Sequence, residues 1–465
     1  MTGRIMRTEV RRSAVPALAG LLVLVGAGVT LTSVQSFAGR WTQLAMYGRG
    51  SLLLLFPLAL AGGAWLGRRD RQHRVGELFA TTVRPRWQRT LPLTVGYAAA
   101  MIAVYLLVLA VGAFWVAPTA SYFSGTVLGI TAVGALAMVA ASWLGLAAGR
   151  AVPRIVTAPV LAVVGFAVIG LIPDFVTMSG FDENFVKTRP DPSALLLVPA
   201  TPNGVDDFQT IPTSVSLLQA MWLTALAGTA LLLIGAVRRG VLALAVLPTV
   251  LGAAVAIPLL PTNGYTGAAV VDPVAVELVC DDDRPQVCVR RVHAAVLPDV
   301  VGPVREALAA LGAKLPDPPT RAVESDQLAA WAAPEQTAVR NDSDVLVFDT
   351  PDISRTGRAD LSSGYFQAEL LRSAWSQECE GDEPHLVFKV APYLAQEVAV
   401  AWLVGGPPQP QSWWRPEDRQ LADASYQALT GLPAEQQRQV VGQARDAALD
   451  CDFDRIEELL LAGDQ

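Results

Sequence analysis

The stretch from Leu91 to Gly149 runs for 59 residues without one Asp, Glu, Lys, Arg or His, and this leaves the chain few ways to fold. A soluble domain of ordinary composition does not contain so long a run without a titratable side chain, whereas a hydrocarbon solvent selects for one. A helix rises about 1.5 Å per residue and the hydrocarbon core is roughly 30 Å thick, so about 20 apolar residues make one crossing. The stretch therefore predicts two helices, Leu91 to Ala117 and Ser124 to Gly149, with Pro118 to Phe123 as the turn. Five further segments meet the same requirement: Ala14 to Phe37, Ser51 to Gly67, Ile155 to Pro173, Val215 to Val237 and Val241 to Leu260. Composition agrees, because 52% of the 465 residues are hydrophobic and only 17% are charged. The expected fold is an all-α membrane bundle of about seven transmembrane helices over residues 1–262, followed by a mixed α/β soluble domain over 263–465.

The charge divides at the same place. Up to residue 260 the chain has 19 Lys and Arg against 9 Asp and Glu, and the remainder has 16 against 33. Cytoplasmic loops retain positive charge. With the N-terminus inside, the cytoplasmic side holds Arg4, Arg7, Arg11 and Arg12, the seven arginines of residues 68–90, Arg150 with Arg154, and Arg238 with Arg239. The outer side holds only Arg40, Arg49, Lys187 and Arg189. Seven crossings then leave the C-terminal domain outside the cell, in a multi-pass protein of the plasma membrane. Ser36 and Ala38 could mimic a signal-peptide cleavage site, but the first apolar run is long for that and further spans follow, so a retained first helix is expected.

Cysteine usage is an independent guide, because disulfides persist in oxidising compartments. Cys280, Cys288, Cys379 and Cys451 all fall in the domain placed outside. Three pairings are open; Cys280 with Cys288, close together between two expected strands, and Cys379 with Cys451 are the favoured ones. Within that domain AVELVC and QVCVRR alternate like strands, a helix is expected from about Pro298 to Leu311, and RAVES and DVLVFDT read as further strands. Amphipathic helices are expected at Phe366 to Gln377, Tyr393 to Val404, Pro416 to Leu429, Ala434 to Leu449 and Phe453 to Leu461. In the outer loop Asp174 to Ser214, the apolar run Ser193 to Val198 is too short to span and reads either as a helix dipping into the interface or as a packed turn.

The basic loop RRDRQHRVGELFATTVRPRWQRT, residues 68–90, carries Val75, Leu78 and Phe79 between arginine-rich ends, a pattern suited to the headgroup level and to a partner beneath it. Its basic run, then Gly76-Glu77-Leu78, Ala80-Thr81-Thr82 and Arg84-Pro85-Arg86 before the next span, resembles the cytoplasmic loop of bacterial ABC-2 type transporter permeases, which docks on the ATPase subunit. That family also has an inside N-terminus, six spans and short re-entrant helices in the outer loop between the fifth and sixth. The resemblance covers about half the chain, as far as residue 237; the seventh span and the outside domain depart from it. It implies that Arg74, Gly76, Glu77 and Leu78 face an ABC ATPase subunit, that Arg84 and Arg86 anchor on lipid phosphate, and that a second permease copy or paralogue completes the assembly. The Gly, Ala and Arg content fits a GC-rich, actinobacterial type of genome.

What the sequence lacks narrows the function further. No Gly is followed by Lys, so there is no phosphate-cradling GxxxxGK[ST] loop, and ATP must be bound by a partner rather than as a cofactor of this chain. The seven apolar segments contain no ionisable residue, which disfavours a proton- or ion-coupled carrier. Glycine pairs at spacing four, Gly63 with Gly67, Gly125 with Gly129 and Gly145 with Gly149, allow close helix approach, within one bundle or in a dimer. Gln396-Glu397-Val398-Ala399-Val400-Ala401-Trp402 has the outline of the HExAHxW zinc helix of gluzincin aminopeptidases. Gln396 and Val400 stand where that motif needs histidines, and Arg419 stands at the third-ligand position, so no zinc is expected. It reads as a decayed peptidase helix or as an ordinary core helix. His73, His293 and His385 have no partner at metal-ligand spacing, and no nucleophile is set apart by its neighbours, so no enzyme activity is expected. The Asp281-Asp282-Asp283 cluster reads as a solvated turn, and the acidic domain argues against nucleic acid. The leading expectation is an exporting permease subunit; the alternative is a membrane-anchored extracytoplasmic binding or sensor protein that does not transport.

Overall fold

The computed structural model describes residues 14–72, 86–182, 187–200, 205–235, 243–326, 342–362, 364–376 and 390–461. The chain divides into two compact units, Met1–Asp272 and Pro273–Gln465. The boundary lies beyond residue 262 because the segment after the last apolar helix pairs back onto the first unit: Val270–Val271 (β2) forms a short antiparallel ladder with Gln209–Thr210 (β1), and the Asp272 amide donates to the Phe208 carbonyl at 2.8 Å.

The first unit consists of apolar helices: α1, Val15–Thr32; α2, Trp41–Gly50; α3, Leu52–Gln72; α4, Arg86–Val116; α5, Thr126–Ala151; α6, Thr157–Met178; α7, Thr213–Gly235; and α8, Ala243–Leu259. Five of them, α1, α4 from Thr90, α5, α6 and α7, are each long and apolar enough to cross a membrane, which marks this as a membrane protein. A sixth crossing results if α2 and α3, bent by 46° at their junction, make one span. The expected seventh, Val241 to Leu260, is a helix of 17 residues over Ala243–Leu259, about 26 Å of rise. It lies at the lower limit for spanning. Within α6 the turn Ala167–Leu171 widens to a π-helix. The cause is Pro173, which has no amide to give the Ile169 carbonyl four residues back.

Two of the three glycine pairs meet each other. A methyl group placed on Gly145 would lie 1.9 Å from the Leu60 carbonyl oxygen, and one on Gly149 would lie 2.1 Å from that of Ala64. From the other side, Gly63 would meet the Ser142 carbonyl at 2.2 Å and Gly67 that of Leu146 at 2.4 Å. Residue numbers rise together along both helices, so α3 and α5 run parallel and touch backbone to backbone. Of the third pair, Gly129 packs on Ser216 of α7, whereas Gly125 has open space at its Cβ position.

The second unit holds a four-stranded sheet, Leu278–Cys280 (β3), Val287–Arg290 (β4), Arg321–Glu324 (β5) and Val345–Phe348 (β6), in the order β3-β4-β5-β6. β3 and β4 form an antiparallel hairpin, and β4, β5 and β6 are parallel. Leu297–Lys314 (α10; α9 is the short Gly264–Ala268) supplies the crossover between β4 and β5. Then follow α11, Tyr365–Arg372; α12, Val390–Val404; α13, Pro416–Thr430; α14, Ala434–Leu449; and α15, Phe453–Leu460. Their core is continuous, from Val287, Leu308 and Leu346 through Trp375 and Val398 to Val441 and Ile456.

Substituting Ala at Gly145 or Gly149 should destabilise the detergent-solubilised protein by about 1–3 kcal/mol, the range for overpacking, because the obstacle is backbone and cannot swing aside. Gly20→Ala and Gly28→Ala on α1, where nothing lies within 4 Å, should be neutral or slightly stabilising. Thermal unfolding of the four variants measures the difference, and equal effects at all four sites would contradict the packing described.

Candidate functional site

In the first unit, polar chemistry concentrates where the loop between α6 and α7 folds back against the bundle. Ser193–Leu197 forms a 3-10 turn, and Leu196 is fully buried in a cluster with Ala45 and Met46 of α2, Val127 and Ile130 of α5, Val215 of α7 and Ala256 of α8. The turn thus packs one side chain inside protein, while Ala194 is exposed. A five-residue turn leaves carbonyls unmatched, and a hydrocarbon solvent offers them no donor, at a cost of several kcal/mol each.

Side chains from two helices provide the donors. Arg49 near the end of α2 has no exposed surface; its Nε donates to the Pro199 carbonyl at 2.9 Å and its Nη1 to Gln219 Oε1 at 2.9 Å. The Gln219 amide donates to the Leu196 carbonyl at 2.8 Å, and Trp222 Nε1 to that of Leu197 at 3.1 Å. The guanidinium also has the right sign for the carbonyl end of a helical turn. Arg49 corrects one expectation. It belongs to a helix rather than to a loop, and although the seven apolar segments themselves contain no ionisable residue, the helix between the first two brings one into the bundle. The window over WTQLAMYGRG is too polar to register as a span, and its amphipathic helix therefore went unpredicted. The remaining signal was Gln219, a lone amide among the apolar residues of α7.

Nearby, Arg40 pairs with Asp207, and Tyr122 reaches Asp272 Oδ2 at 3.4 Å. Burial, with Asp272 and Asp207 close by, pushes the Tyr122 phenol above its ordinary range. These contacts hold the end of the first unit against β1 and β2.

Arg74, Gly76, Glu77 and Leu78, expected to contact an ATPase, and Arg84, expected to anchor on lipid phosphate, lie outside the described residues, and Arg86 opens α4. In the second unit Cys280 and Cys288 stand directly opposite each other in the β3–β4 hairpin and form a disulfide. Cys451 is also disulfide-bonded; Cys379 and His385 fall outside the described residues, as does His73. Asp281 is held by Arg305 and accepts from the Val287 amide at 2.8 Å, so it caps a turn. His293 is buried, with Nδ1 2.5 Å from Glu324 Oε1 and Thr350 beside both.

The HExAHxW-like segment lies on α12, where residues 394 to 403 are all buried. The Gln396 amide donates to the Trp375 carbonyl at 2.9 Å, Val400 sits in the core, and Arg419 is exposed on α13. Glu397 accepts from Arg372 Nε at 2.6 Å, and Glu369 takes Arg372 Nη1 at 2.5 Å. Burial opposes the charge on Arg372, but Glu397 and Glu369 hold its guanidinium above its ordinary range. Among the described residues no group of three His, Cys, Asp or Glu side chains could hold a metal ion. Comparison with family models, with curated proteins and with solved structures finds no match to this chain.

Metal analysis of the purified full chain should find zinc far below one atom per chain; stoichiometric zinc would overturn the reading of α12. Glu397→Gln should cost on the order of 2–3 kcal/mol, less than the loss of a fully buried partner because Glu369 still holds the guanidinium. Denaturant unfolding followed by tryptophan fluorescence measures this, and an unchanged midpoint would remove the ion pair from the account.

Proposed function

We propose that this chain is the membrane (permease) subunit of an ABC-2 type transporter, working as an exporter with a separate ATPase subunit and a second permease copy or paralogue. The observation that carries this reading is the turn Ser193–Leu197, folded into the bundle between α6 and α7. Those are the fifth and sixth apolar crossings when α2 and α3 count as one. ABC-2 permeases have their re-entrant elements at that place. The basic loop 68–90 between the second and third crossings, and the lack of a phosphate-binding loop, fit the same division of labour. In this reading the N-terminus is cytoplasmic, α8 is a seventh crossing, and the second unit lies outside the membrane as a domain that captures, shields or senses cargo. The Cys280–Cys288 disulfide is compatible with that placement.

The reading is tested by co-purification from native membranes. An ATPase subunit should be retained by the full chain and lost on Glu77→Arg, which reverses the single acidic charge among the ATPase-facing residues. Undiminished ATPase association and cargo flux in Glu77→Arg would exclude this coupling site, and the absence of any ATPase would favour the anchored binding or sensor protein.

A further inference from the structure

We propose that Arg49, Gln219 and Trp222 form a releasable latch that holds the 192–200 segment as a plug in the first unit, and that its release opens that end of the bundle to cargo. The cargo role rests on the permease reading; the latch itself does not.

Two independent features meet at the segment. The first is an apolar stopper: Leu196 has no exposed surface and belongs to one buried cluster with residues of α2, α5, α7 and α8. The second is a circuit of hydrogen bonds that runs from the Pro199 carbonyl through Arg49 to Gln219 and back to the Leu196 carbonyl. Trp222 adds the Leu197 carbonyl from one helical turn further along α7. Every side chain in the circuit belongs to a helix, and every carbonyl to the segment. Within the segment the Leu195 amide donates to the Pro192 carbonyl and the Val198 amide to that of Leu195; the three helix side chains are what bind this turn to the bundle.

Such an arrangement favours two states over a continuum. A partly broken circuit strands a buried guanidinium or amide, so the bonds are made or lost together. Ser193 Oγ, which donates to the Ile257 carbonyl at 3.2 Å, ties the near end of the segment to α8 and leaves a pivot there. The guanidinium geometry matters as well as the charge. Arg49 uses two nitrogens to reach two acceptors, which a lysine ammonium on a shorter reach would not do in the same way.

The experiment uses the full chain in liposomes with Ala200→Cys as reporter, since Ala200 is buried next to Pro199 and all native cysteines of the described residues are disulfide-bonded. With the latch intact, a membrane-impermeant maleimide should label this cysteine slowly. Gln219→Leu should raise the rate about tenfold, the change that about 1.4 kcal/mol produces. Trp222→Phe, which removes one bond and little volume, should raise it less, and Arg49→Lys should fall between the two. Unchanged labelling in variants that elute like the parent protein would overturn the latch. So would the collapse of all three variants into aggregates, because a latch that opens in use must leave a folded protein when broken. Labelling needs no ATPase subunit, so faster labelling together with failed co-purification would refute the transport reading alone.

Discussion

Contact between α3 and α5, backbone against backbone, sets the geometry of the first unit. In a hydrocarbon solvent apolar side chains gain nothing by leaving lipid for one another, so association depends on close packing and on the weak Cα–H···O contacts it permits. Two pairs of glycines at spacing four, Gly63 with Gly67 and Gly145 with Gly149, leave no side chain at four points of the seam, and each faces a carbonyl oxygen of the other helix. Helix α5 thereby becomes the most deeply enclosed of the five long apolar helices, with α2, α3, α6 and α7 packed around it. Gly134 instead makes room for a side chain, the phenol of Tyr105 on α4.

That enclosure makes a buried polar circuit tolerable. Arg49 would be prohibitively placed against lipid, yet inside the bundle it meets acceptors from a connecting segment that itself needs donors. The two demands cancel at one place, where Leu196 closes the apolar cluster. A structural feature and a proposed moving part are thus the same residues: a short 3-10 turn bound to the bundle by side chains of two helices.

Much of this was legible in the sequence, for physical reasons that can be named. The ion-free stretches gave the long helices because hydrocarbon permits little else, and the strands and helices after residue 275 followed from alternation and helical period. The Cys280–Cys288 bond was legible because the two cysteines stand eight positions apart in strands that must turn back on each other. The glycine pairs showed that some close approach existed, though not which helices shared it. What escaped was amphipathic: α2 is half polar because one side buries Arg49 and the other side carries the chain between spans. A hydropathy window averages those two faces and returns neither. The two-residue ladder between β1 and β2 was illegible for a related reason, since it has no periodicity to read.

On the proposed topology, both the oxidised hairpin and the acidic second unit depend on an odd number of crossings, with α8 as the last of them. An epitope tag fused to the C-terminus and probed with antibody on intact cells tests this most directly. The account predicts labelling from outside without permeabilisation, to the same extent as after it. Labelling that appears only once the membrane is broken would contradict it.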